Sequence, residues 1–220
     1  MRVMQSVTLR SAPAALLDGL HRLGQAQTDA ACNFAALALV MRAQDPYTQG
    51  HAQRVADYAE KLSRKLGLCR QEIEAIRLGA LLHDIGKMAV PDRILHKHGP
   101  LTEAEKAIMR QHPLNAYNML YPIAYLRSAL EIPVCHQEKW DGSGYPRGLR
   151  GEDIPLAARI FTVIDVWDAL RSDRPYRKAW SVKKTIAYIE EQAGKSFDPR
   201  IVKTFVEVIP SIVGKNEVVL

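Results

Sequence analysis

The run Leu81-Leu82-His83-Asp84-Ile85-Gly86-Lys87 constrains this chain more than any other stretch. An adjacent histidine and aspartate end an apolar helical pattern that reaches back to Arg70 through Ile73, Ile76 and Ala80. Burying such an ionisable pair is costly unless a partner or a metal meets it. Adjacent side chains on a helix diverge by roughly 100°, so His83 and Asp84 can approach one ion from neighbouring directions. Gly86 then offers a helix stop. Taken singly, a histidine on an apolar face is more often a satisfied core residue than a ligand. Here it is one of a series, because His51, His112, His136 and Asp165 recur in similar helical or helix-edge contexts. Mixed imidazole and carboxylate ligands suit Fe, Mn, Zn or related metals.

The elements around this series read as helices. From Pro13 a leucine pattern has helical spacing, and a second pattern runs from about Asp29 to Ala43. Val55, Tyr58, Ala59, Leu62 and Leu66 form one apolar stripe that His51 extends, and Gly67 ends it. Thr102 and Glu105 form a capping box, from which the buried face reads Ile108, His112 and Ala116. Pro113 predicts a break and a restart at that point. His96 and His98 fall in a loop and are expected to be exposed. Ala157 to Leu170 is almost wholly apolar, interrupted by Asp165 and Asp168 on one side. Asp165 is expected to meet a metal, and Asp168 to hold a ligating histidine. Helices from about Val182 to Gln192 and Pro199 to Val208 close the domain, and a strand is conceivable only at 217–220.

Composition narrows the function classes. The 220 residues suffice for one domain with a sizeable core and a short appendage. A net charge of +6 suggests an anionic ligand, although a basic solvated surface accounts for most of it. Three cysteines, Cys32, Cys69 and Cys135, have no CxxC spacing, which argues for a reducing compartment and against a cysteine zinc site. The start lacks a signal-peptide apolar region and the longest apolar run, Phe34 to Met41, is far too short for a membrane span. A cytoplasmic protein with no membrane insertion is expected.

Two further stretches carry chemistry. His136 to Gly151 holds a tryptophan, a proline and four glycines, a composition that excludes a helix interior and lets backbone approach a ligand closely. Beyond the apolar helix, Arg174-Pro175-Tyr176-Arg177 places two arginines around an aromatic, suited either to phosphate and base contact or to a solvated basic loop.

At these residues the chain resembles the HD-GYP family, the HD metal hydrolases associated with cyclic di-GMP phosphodiesterase activity. The resemblance rests on Leu82 to Lys87, on Trp140 to Pro146 with its Gly144-Tyr145-Pro146, on Asp165 to Leu170, and on Arg174 to Arg177. It implies an all-α HD-domain helical bundle over residues 37–220, with extra C-terminal helices and an N-terminal helical extension at 1–36. It implies His51, His83, Asp84, His112, His136 and Asp165 as ligands of two divalent ions, Fe or Mn, with Asp84 bridging them. Lys87 would join Asp84 in catalysis, and Tyr145, Arg174 and Arg177 would bind substrate. Cyclic di-GMP would be hydrolysed, mainly to linear pGpG, by a hydroxide that the two metals activate. The alternative is a weakly active or inactive module that binds cyclic di-GMP or docks a signalling partner. A homodimer through the N-terminal helices fits the extension, and no nucleic-acid partner is expected. Two departures matter: Gln137 stands where members usually carry a second histidine, and Tyr47 where some carry a glutamate for a third metal.

Overall fold

A computed structural model describes residues 50–173 and 177–213. The extension at 1–36, the helical patterns predicted before residue 44, Tyr47, Arg174 and the strand suggested at 217–220 lie outside those residues. The regular elements within them are helical, as an all-α bundle requires. They are α1 (His51–Lys65), α2 (Arg70–Leu82), α3 (Asp92–Leu95), α4 (Glu103–Met109), α5 (His112–Leu120), α6 (Glu131–Cys135), α7 (Leu156–Arg171), α8 (Val182–Glu191) and α9 (Pro199–Val213).

The bundle is built around α7, whose Ala158, Ile160, Phe161, Val163, Ile164 and Trp167 are buried. A helix apolar on nearly every side is stable only when enclosed. α1, α2, α8 and α9 all pack against it, and α9 also meets α1. On α1 the spacing of Val55, Ala59 and Leu62 makes the matching stripe. Trp167 meets Phe205 of α9 edge-to-face at 5.5 Å between ring centres. Burying a ring such as Phe205 contributes about 1.5–3 kcal/mol. α9 continues through Pro210, past the end expected at Val208. Pro210 lies in an exposed last turn, where water can satisfy the carbonyl that loses its donor.

Two expectations change around the His-Asp pair. The helix does not carry both residues: α2 stops at Leu82, His83 is its cap, and Asp84 opens a 3₁₀ turn over Ile85–Ala89. Gly86 is not a left-handed stop but lies inside that turn, where a Cβ would collide with the His112 carbonyl and lie 2.6 Å from Ala116 N. Only glycine lets the turn press against the start of α5. Leu82, Ile85, Ala116, Met119, Leu120, Ile123 and Leu126 cement the contact as a separate apolar cluster. The break near Pro113 falls between Met109 and His112, with Pro113 in the first turn of α5. Ile108 is 38% exposed rather than on a buried face, because α4 is a surface helix that buries none of its residues. Its start is the expected capping box, with Glu105 N donating to Thr102 Oγ1 at 3.3 Å and Thr102 N to Glu105 at 2.7 Å.

Candidate metal centre

The ends of α1, α2, α5 and α6 and the middle of α7 bring the six predicted ligands together as two trios. His51, His83 and Asp165 form one, and Asp84, His112 and His136 the other; within each trio the ligand-type atoms all lie within 4.8 Å of one another. Asp84 stands between them. Its Oδ2 is 3.2 Å from His83 Nε2, while its Oδ1 is 3.7 Å from His112 Nε2 and 3.8 Å from His136 Nε2. Unwinding α2 at Leu82 is what turns Asp84 toward the second trio while His83 serves the first.

The histidines are oriented from behind. Nδ1 of His83 lies 2.8 Å from the Ala80 carbonyl, that of His112 2.9 Å from Met109 O, and that of His136 3.1 Å from Ile132 O. A carbonyl only accepts, so each Nδ1 carries the proton and donates, and each Nε2 presents a lone pair to the centre. His112 Nε2 and His136 Nε2 then face each other at 3.2 Å. Burial first, with His83 assisting, pushes His136 down to about 3, so no extra proton relieves that encounter near neutrality. A cation does relieve it. Ligands about 2.1 Å from one ion, at angles from octahedral to tetrahedral, stand roughly 3.0–3.4 Å apart. The His112–His136 pair falls in that range, with Asp84 Oδ1 slightly wider at 3.7 and 3.8 Å. Two imidazoles with a carboxylate are a donor set that suits a metal.

His51 is held differently. Its Nδ1 donates to Asp168 at 2.7 Å, and its Nε2 lies 3.3 Å from Asp165 Oδ1. Asp168 is buried and gripped by Arg54 through two hydrogen bonds of 2.7 and 2.8 Å. Burial works to lower the His51 pKa, but Asp165 and Asp168 outweigh it and raise the group to about 9. A proton between two carboxylates is what a divalent cation displaces. Asp84 stays ionised: burial pushes it up, yet Lys87, His83 and His136 bring it well below the usual carboxylate range. The Lys87 ammonium donates to Asp84 Oδ2 at 2.7 Å.

The loop after His136 is fastened rather than free. Glu138, 2% exposed, accepts from Arg147 N at 2.8 Å and Leu149 N at 3.0 Å. Tyr145 N donates to Gln137 O at 3.2 Å, and Asp141 N to Lys195 O at 2.8 Å. Gly144 has no room for a side chain, since a Cβ would lie 2.5 Å from Glu138 Cα. The result sets Tyr145 edge-on against the His112 ring, 6.2 Å between centres, with the Arg110 guanidinium 5.6 Å from the Tyr145 ring centre.

The other predicted substrate contacts fare differently. Arg177 sends Nη2 to Ala169 O at 2.8 Å and Nη1 to Leu170 O at 3.2 Å, so its charge closes the C-terminal end of α7. Arg174 lies outside the described residues. His96 and His98 are exposed, and Cys135 is buried with its thiol pushed up to about 11, chiefly by burial. Sequence reasoning missed Arg54, Arg110 and Glu138. Arg54 was within reach, being three positions after His51 on one helix.

A family model described as an HD domain matches residues 37–201. The cyclic di-GMP phosphodiesterase response regulator RpfG of Xanthomonas campestris is 43% identical over 76% of this chain and 44% of its own length. The 3'3'-cGAMP-specific phosphodiesterase 3 of Vibrio cholerae is 39% identical over 76% of this chain and 36% of its own. The chain thus spans less than half the length of either relative. Among solved structures, an HDG"Y"P protein from Bdellovibrio bacteriovorus superposes with a TM-score of 0.58 over 87% of this chain and 61% of that one. Its 20% identity supports a shared fold alone. A cyclic GMP-AMP specific phosphodiesterase of Vibrio cholerae gives 0.54 at 31% identity, over 84% of this chain and 42% of that one.

Proposed function

This chain belongs to the HD-domain family, in its HD-GYP branch, and from that premise we propose that it is a metal-dependent phosphodiesterase that hydrolyses cyclic di-GMP, mainly to linear pGpG. The observation that carries the reading is the pair of ligand trios with Asp84 between them. His51, His83 and Asp165 would hold one divalent ion, Asp84, His112 and His136 the other, and Fe or Mn suits the nitrogen and oxygen mixture. When bound, two such ions lower the pKa of water and neutralise phosphate charge, so that hydroxide can attack phosphorus in line.

The chain's own groups do the remainder. Asp84, ionised and turned toward both trios, sets their separation. Lys87, hydrogen-bonded to Asp84, is placed to stabilise charge developing on the leaving oxygen. Tyr145, held by a fastened loop beside His112, gives the substrate an aromatic wall. No side-chain nucleophile is required. Two ions suffice to open one phosphodiester, whereas the linear product brings a further terminal phosphate charge. Tyr47 and Gln137 stand where a carboxylate and an imidazole would serve that second step.

Protein purified without chelator, then loaded with Mn or anaerobically with Fe, is expected to convert cyclic di-GMP to pGpG, followed by chromatography over a long single-turnover reaction. Rapid GMP with little pGpG would reject the product assignment, and faster second hydrolysis in Gln137→His would support its stated cause. Loaded protein that hydrolyses neither cyclic di-GMP nor 3'3'-cGAMP would reject the function.

A further inference from the structure

The geometry points to Arg110 as the cation that receives the substrate's other phosphate, the one not being cleaved. The inference deepens the phosphodiesterase reading and rests on it.

Of the basic side chains described around the two trios, several already hold a protein group. Arg54 is on Asp168, Lys87 on Asp84, and Arg177 on the carbonyls that end α7. Arg110 differs. It caps α4, two positions before His112, is exposed, and makes no ion pair among the described residues. What it does make is a cation–π contact with Tyr145, whose ring in turn stands against the ligand-type His112. A cation–π contact engages the guanidinium's charge without consuming its N–H donors, which stay open to an anion. Through the Tyr145 ring the guanidinium stands one aromatic ring removed from His112 of the second trio.

A cyclic dinucleotide carries two phosphodiesters in one small ring. Seating one at the metal centre fixes the other within a few bonds of it, still anionic. A planar fork of N–H donors beside Tyr145 matches that phosphate in shape and charge. The guanidinium beside Tyr145 thus comes from the turn between α4 and α5, whereas the sequence places the arginines of this platform after α7.

Arg110→Ala and Arg110→Lys, each loaded with metal, test this through KM and through calorimetric affinity for cyclic di-GMP and cyclic di-AMP. Expected is about tenfold weaker binding of both ligands in Arg110→Ala, with a smaller loss in Arg110→Lys. The loss should fall on KM more than on kcat, metal content should be unchanged, and the salt dependence of binding should flatten. Unchanged affinity in Arg110→Ala overturns the assignment while leaving the phosphodiesterase reading intact. Weakening confined to the guanine ligand overturns it too, since the contact would then be to a base edge. Lost metal in Arg110→Ala marks a structural role and also rejects it. Absence of any cyclic dinucleotide binding by the loaded wild-type protein removes the function and this inference together.

Discussion

His51 is set apart from the other three histidines by what holds its outer nitrogen. An ionised Asp168, itself fixed by Arg54, faces it, whereas neutral backbone carbonyls face His83, His112 and His136. A charged acceptor makes the imidazole a stronger donor to a cation, and loss of such a partner typically costs 10–100-fold in metal affinity. The trio of His51 also carries Asp165, while the other has only the shared Asp84. Asp168→Asn should therefore weaken one site by about 10-fold or more and spare the second. A manganese titration followed by electron paramagnetic resonance would resolve the two occupancies, and equal weakening of both would contradict the asymmetry. Asp84→Ala is the complementary case. Its carboxylate faces both trios, so elemental analysis should find both ions lost, and full retention would refute the bridging role.

Between residue and fold, helix ends decide the site. The apolar stripes of α1 and α2 and the nearly continuous apolar run of α7 were legible because apolar spacing reports burial directly, while the full set of six ligand-type residues was legible only through the family resemblance. The exact end of α2 was not legible. Gly86 reads locally as a stop, yet its role is to admit the backbone of α5, a neighbour distant in sequence. Gly86→Ala should cost about 3 kcal/mol or more in denaturant unfolding, because backbone atoms rather than a mobile side chain must give way. Arg177 illustrates the converse. An arginine beside an aromatic looks the same in sequence whether it meets a phosphate or the carbonyls of a helix end. With its donors on Ala169 and Leu170, Arg177→Ala should lower stability by about 1–2 kcal/mol with metal content unchanged. Loss of ligand affinity with unaltered stability would restore the substrate role. Arg110 escaped notice because the charge-rich α4 gives no local sign of which cation reaches Tyr145.

For the molecule as a whole, each trio joins segments far apart in the chain, so a bound ion stabilises the native state and not the unfolded one. At about 100 times its dissociation constant, one ion adds roughly 2.7 kcal/mol, equivalent to about 5–10 °C in melting temperature at this size. Chelation should lower the melting temperature by such an amount and Mn should restore it. Identical melting with and without metal would mean that the trios hold no ion. No helix among the described residues is long and apolar enough to cross a membrane. The fastening of the loop after His136 by Glu138 has a consequence for the heat and entropy of association. Tyr145 is already in place when a ligand arrives, so the conformational freedom normally surrendered at a binding loop, about 0.5–1.5 kcal/mol for each side chain immobilised, has been surrendered during folding. Ligand capture by this face should therefore carry a small entropic penalty, and Glu138→Gln, which weakens the fastening, should make that penalty larger before it changes any contact the ligand makes.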